Sequence, residues 1–217
     1  MQFLIIIFFI ALVIVGIVLG ILAARKRREK LRTLAGKLRM WFRAEKDRNI
    51  HKEYSFLDEL HKGHNRYAEN IISGNYNGYD LKIFDFHYET GSGKDTHHYH
   101  FSFFVTMFKY VFPELRITKE NFFSKIGQAL GFDDIDFESH EFSKQFCVRS
   151  KNKKFAYDVC NAKMIDYLLD NRDMSIEIEN NALALVFNRR LKPEQIEYNI
   201  ERLIKIRSLI PEYLFKG

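Results

Sequence analysis

Cysteine and proline are scarce in this chain. Only Cys147 and Cys160 occur, with Pro113, Pro193 and Pro211. Two cysteines cannot build a disulfide framework, and no Cys-x-x-Cys pair offers a zinc ribbon. Both are expected to be buried structural thiols, Cys147 in a strand pattern and Cys160 in a helical one. The prolines are too dispersed to form a Pro-rich linker, and neither an internal repeat nor a low-complexity segment divides the chain. The motifs of common chemistry are also missing. There is no Gly-x-Ser-x-Gly elbow, and Ser139-His140-Glu141 are sequence neighbours that cannot assemble as a triad. Gly91-Ser-Gly-Lys94 is followed by Asp95 and lies between strand patterns, which excludes a phosphate loop. Asp133, Asp134, Asp136 and Glu138 lack the glycine and the spaced glutamate of a calcium loop. No catalytic residue is nominated and no cofactor is expected.

Charge is wholly absent from one stretch. Phe3 to Ala24 is an unbroken apolar run, and Arg25-Lys26-Arg27-Arg28 follows it at once. A helix rises about 1.5 Å per residue, so a run of this length crosses a hydrocarbon core of about 30 Å. A cleaved signal peptide would carry positive charge before a shorter apolar core, and only Met1 and Gln2 precede this one. Residues 1–24 therefore read as an uncleaved, single-pass signal-anchor. The flanking cations place the C-terminal side in the cytoplasm and the N-terminus outside. Gly16 and Gly20 form a small-xxx-small pair through which two spans can pack as a homodimer.

The net charge of +6 is a local property. Arg25 to Arg48 carries 11 Lys or Arg against 3 Asp or Glu, and the rest of the chain is slightly acidic. A nucleic-acid footprint is thereby excluded. Arg25, Lys26, Arg27, Arg28, Lys30 and Arg32 are expected to meet anionic headgroups, each worth about 1 kcal/mol near the surface. Residues 25–60 read as a basic, mostly helical juxtamembrane segment. Leu31, Leu34, Leu38 and Trp41 form its apolar stripe. Three arrangements fit that stripe: a helix in the lipid interface anchored by Trp41, a helix packed on the domain, or a short coiled-coil stalk.

Residues 61–217 read as an α+β domain. Asn70 to Gly78 is rich in turn formers. Tyr79 to Glu89 and His97 to Tyr110 form a long β-hairpin around Thr90 to Asp95, with Pro113 ending its second strand. A helix is expected from Lys119 to about Leu130, strand material from Ile135 to Val148, and a helix from Phe155 to about Leu169. Ser175 to Glu179 and Ala182 to Asn188 read as a second hairpin across Asn180-Asn181, and Pro193 opens a final helix. Strand pairs interleaved with single helices favour a mainly antiparallel sheet behind an N-terminal transmembrane helix, with a helix at the C-terminus.

The first hairpin holds the sharpest candidate chemistry. With its turn centred between Ser92 and Gly93, His87 faces His98 and Asp85 faces His100. Imidazoles and a carboxylate on one face suit zinc or a similar ion. A slip of one residue would break the cluster, and a solvated polar strand face is the plain alternative.

From Phe56 onward the order of features resembles an uncharacterised family of bacterial single-span membrane-anchored proteins. The likeness rests on Gly63, Arg66, Ala68-Glu-Asn70, Gly74, Gly78, Phe84-Asp-Phe-His-Tyr88, Pro113-Glu-Leu115, Glu120, Gly131 to Ser139, Glu141-Phe142 and Phe146-Cys-Val148. Such families are known as domains of unknown function, so the resemblance implies an architecture and supplies no active site. Three functions are compatible with the sequence. The first is a non-enzymatic, membrane-tethered scaffold that meets other membrane proteins. The others are a metal-binding enzyme or sensor built on Asp85, His87, His98 and His100, and an anionic-lipid-binding domain.

Overall fold

A computed structural model describes residues 2–55, 57–119 and 134–216. Of the helix expected from Lys119 to about Leu130, all but Lys119 lies outside them. The first element, α1 (Gln2–Lys37), is one unbroken helix, long and apolar enough in its first part to cross a membrane. Its apolar side chains from Ile5 to Leu22 are all exposed. Its last turns behave differently: Leu31, Ala35 and Leu38 are buried in the domain core. Of the three arrangements open to this stripe, the structure adopts the helix packed on the domain.

The helical reading of residues 25–60 is corrected beyond Lys37. Arg39 adopts a left-handed φ of 56°. Met40 N–H donates to Ala35 at 2.8 Å and Arg39 N–H to Gly36 at 3.1 Å, a Schellman closure. The chain then turns into β1 (Trp41–Arg43), which pairs with β2 (His64–Tyr76). Between them lies the short α2 (Ile50–Glu53). Asn70 to Gly78 reads as rich in turn formers, yet residues 64–76 are a single strand. They form a strand because only Asn77 (φ 52°) and Gly78 (φ 84°) reverse the chain, a two-residue turn that joins β2 to β3 (Tyr79–Thr90).

β4 (His97–Lys119) is longer than the sequence pattern suggests. Pro113 was expected to end it and does not. It sits where the pairing with β6 (Ser175–Phe187) shifts register, between Phe112 and Leu115, so no regular ladder bond is lost to it. The expected second hairpin is likewise one strand, β6. Asn180, at φ 51°, forms a bulge opposite Phe112 and the strand continues. Between β4 and β6 come α3 (His140–Gln145), β5 (Phe146–Arg149), α4 (Lys153–Val159) and α5 (Ala162–Asp170). The single helix expected from Phe155 is thus two. Asn161 breaks it, and its side chain caps the Met164 N–H of the second. The chain closes with α6 (Ile196–Leu209) after a turn opened by Pro193.

All strand pairs are antiparallel. β1, β2, β3 and β4 lie side by side, β5 extends the β3 edge of β4 at its far end, and β6 covers the other edge. Both faces of the sheet are covered. On one, Leu81, Ile83, Phe104 and Leu185 meet α1 and the C-terminal helices. On the other, Phe84, Phe86, Phe101 and Phe103 meet Ile50, Tyr54, Leu57 and Leu60. In β4, Phe101, Phe103 and Val105 share one face and Ser102 and Thr106 the other, and these polar residues are buried rather than solvated.

Candidate functional site

Strand alternation sends Asp85, His87 and Glu89 of β3 to the face that carries α1. Their pairing differs from the expected one: Asp85 lies opposite Ser102, His87 opposite His100 and Glu89 opposite His98. The slip is two residues. The turn is wider than a tight hairpin, with Asp95 N–H donating to the Ser92 carbonyl at 3.2 Å and the Thr96 hydroxyl to the Gly93 carbonyl at 2.9 Å. Because the slip is even, every residue keeps its face. The nominated residues consequently remain neighbours but change partners.

Asp85 belongs to an anchor clamp. Its carboxylate is 4% exposed and accepts from Arg27 Nη2 at 2.9 Å on both oxygens, with Nε at 3.2 Å. Asn70 Nδ2 donates to it at 3.0 Å and the Ser102 hydroxyl at 3.1 Å. Ser102 also accepts from Leu191 N–H, whose carbonyl accepts from Arg27 Nη1 at 2.7 Å. Glu69 adds an ion pair to Arg190 and lies 3.9 Å from Arg28. Further along α1, Lys30 pairs with Glu194 at 2.5 Å and Lys37 with Glu197 at 2.8 Å. These outer pairs are exposed and worth about 0–1 kcal/mol each. Of the cations nominated for the membrane surface, Arg27, Arg28 and Lys30 thus contact the domain, Arg32 is exposed with its guanidinium 5.7 Å from the Phe42 ring centroid, and Arg25 and Lys26 are exposed. Trp41 is 82% exposed on β1, beyond the end of α1. A rise of about 1.5 Å per residue puts Lys37 about 18 Å from Arg25, so Trp41 is well removed from the span-flanking cations.

His87, His98 and His100 form a second group. His87 is 3% exposed; its Nε2 is 3.1 Å from His98 Nδ1, and its Nδ1 is 3.3 Å from the Asn65 carbonyl. Burial pushes the His87 imidazole below its ordinary range, against the raising effect of the Asn65 carbonyl and Glu89. The His100 ring lies 4.9 Å from that of His87, tilted at 44° to it. Burial, then the Arg190 charge, pushes His100 down to about 4. Glu89 lies 3.4 Å from His98 and 3.7 Å from His87. A hydrogen bond from Asn65 is the main cause that holds its carboxyl below the usual range. Glu89 and Asn65 were missed in the sequence. The signal for Glu89 was available, since it shares the odd-numbered face with Asp85 and His87. Asn65 had none, because its contribution depends on a bulge in β2.

The group lies on the span side of the domain. Gly74, opposite Leu81, packs against Met40 just past the end of α1, whereas Asp85 meets Arg27. β3 therefore runs back along α1, and its continuation to Glu89 points toward the apolar segment.

The other candidates are structural. The Ser139 hydroxyl caps α3 by accepting from Phe142 N–H, and Asp134 accepts from Val148 N–H at 2.7 Å. Asp133 lies outside the described residues. Cys160 is buried, which pushes its thiol well up, whereas Cys147 is only half-buried on β5.

No family model matches the chain, and no curated protein matches it. Among solved structures it is similar to the crystal structure of the mycobacterial trehalose monomycolate transport factor A, TtfA, with a TM-score of 0.59 at 10% sequence identity. The match covers 86% of this chain and 97% of that one. At this identity the likeness establishes a common fold.

Proposed function

We propose that this chain is a membrane-tethered interaction or scaffold domain of a bacterial membrane, held on the cytosolic face and working without catalysing a reaction. The observation that carries this reading is the continuity of α1. One helix holds both the exposed apolar run and Arg27, whose grip on Asp85 fixes it to the sheet. Such a domain does not swing on a flexible linker. It presents fixed faces at the bilayer, where confinement raises its effective concentration toward other membrane proteins. The basic flank supports the cytosolic orientation. The fold shared with a protein titled a transport factor supports an accessory role in a membrane process. Gly16 and Gly20, with open space around both, allow a second copy to pack along the span.

Crosslinking in native membranes, followed by mass spectrometry, tests the reading. Links from residues 61–217 to other membrane proteins are expected, in a chain that resists carbonate extraction. Release by carbonate, or a domain that links to nothing, would defeat it. A second reading rests on exposed Arg25, Lys26 and Arg32. These suit anionic headgroups, and binding of the chain to anionic vesicles would then weaken as salt rises.

A further inference from the structure

One set of metal-ligating side chains stands apart from the anchor clamp. His87 Nε2, His98 Nδ1 and Glu89 Oε1 converge from β3 and β4. Their separations are 3.1 Å between the imidazoles, 3.4 Å from His98 to Glu89 and 3.7 Å from His87 to Glu89. Donor atoms about 2.0–2.1 Å from a tetrahedral zinc ion stand about 3.3–3.4 Å from one another. The observed triangle brackets that spacing, so one ion can reach all three atoms with small side-chain shifts.

The ligands are also held from behind. A carbonyl oxygen only accepts, so His87 Nδ1 carries the proton toward Asn65 and leaves the Nε2 lone pair facing the other two groups. Histidines that bind metals are held in this way, through the second ring nitrogen. Asn65 Nδ2 donates to Glu89 Oε1 at 2.6 Å, while its own oxygen accepts from Arg48 Nη1 at 3.0 Å. Asn65 has a φ of 48° where β2 slips against β3. One residue in a left-handed conformation thus aims a backbone oxygen at one ligand and an amide at another. A solvated pair of histidines requires neither contact.

We propose that His87, Glu89 and His98 bind a divalent transition ion of the zinc class on the span side of the domain. The fourth position is left to water or to His64, whose Nε2 lies 3.8 Å from the other oxygen of Glu89. Two imidazoles and one carboxylate select such an ion over magnesium or calcium, which take oxygen ligands. Bound there, the ion ties the start of β4 to β3 and, through Asn65, to β2. The inference is independent of the scaffold reading.

Titration calorimetry of the full chain in detergent, stripped with a chelator, tests it with zinc chloride as the probe. One equivalent of zinc is expected to bind, undisturbed by excess magnesium. His98 is 56% exposed, so His98→Ala should fold normally. Affinity should fall about 100-fold or more, since even outer partners of a metal site are worth 10–100-fold. Glu89→Gln should also weaken binding. His97→Ala, one residue away and on the opposite strand face, should leave it unchanged. Circular dichroism checks the fold of each variant. Absence of stoichiometric zinc uptake, or a His98→Ala chain that binds as tightly as the parent, would overturn the proposal.

Discussion

Arg27 Nη2 lies 2.9 Å from each carboxylate oxygen of Asp85, joining the first turn after the apolar run to the middle of the sheet across 58 positions of sequence. Asp85 is buried, so removing the guanidinium leaves a charge in a poorly solvated place. Breaking such a pair costs about 3–5 kcal/mol. Asn70 and Ser102 still donate to Asp85 in the variant. The lower end of that range, about 3 kcal/mol, is therefore expected for Arg27→Ala in denaturant unfolding of the full chain in detergent. Replacing both residues by alanine should recover part of the loss. Full additivity of the two single losses would show that the pair is not coupled.

Leu31 decides whether α1 is part of the domain or an independent interface helix. Its side chain is 2% exposed, in one core cluster with Ile72, Ile83 and Ile200. Leu31→Ala should therefore cost about 2–5 kcal/mol. A helix lying in lipid would lose much less stability, so a loss below about 1 kcal/mol would argue that α1 is undocked.

The fold was legible where local pattern and tertiary context agree. The apolar run, the strand patterns of Tyr79 to Glu89 and His97 to Tyr110 and the proline that opens the last helix all led to elements in the structure. Two of the misreadings share one physical cause. Asn180-Asn181 and Pro113 carry turn or breaker chemistry, yet the long pairing of β4 with β6 absorbs both as register shifts. Local propensity reports the bend and cannot say whether the partner strand bends with it. The polar cluster was legible as a set of residues on one face. Its pairing was not, because the width of the turn at Gly91 to Thr96 sets the register.

Gly63 couples the start of β2 to Glu89. Its φ is 61°, and a Cβ there would come within 2.1 Å of the Glu89 carbonyl oxygen. An alanine would meet both a left-handed backbone penalty and a clash with main chain that cannot rotate away. Gly63→Ala should destabilise the chain by about 2 kcal/mol or more. It should also disturb the backbone that carries Glu89. Unfolding in denaturant measures the first effect, and hydrogen exchange at the Glu89 end of β3 the second. An unchanged midpoint would mean that the β2–β3 junction shifts freely.

His100 gives the stability a direction in pH. Its imidazole is pushed down to about 4 in the folded chain, against about 6.5 when unfolded. Burial is the first cause and the Arg190 charge the second, and its Nδ1 is buried without a hydrogen-bond partner among the described residues. Between these two values the unfolded chain binds more protons, so stability rises with pH across that window. The contribution is complete above about pH 6.5 and disappears as pH falls toward 4. His87, lowered by burial in the same sense, adds to the slope. Melting of the chelator-treated chain at pH 7.5 and pH 5 checks this. The parent should lose more Tm on acidification than His100→Gln, which has no proton to gain. Equal losses in the two chains would show that His100 does not control the acid limb.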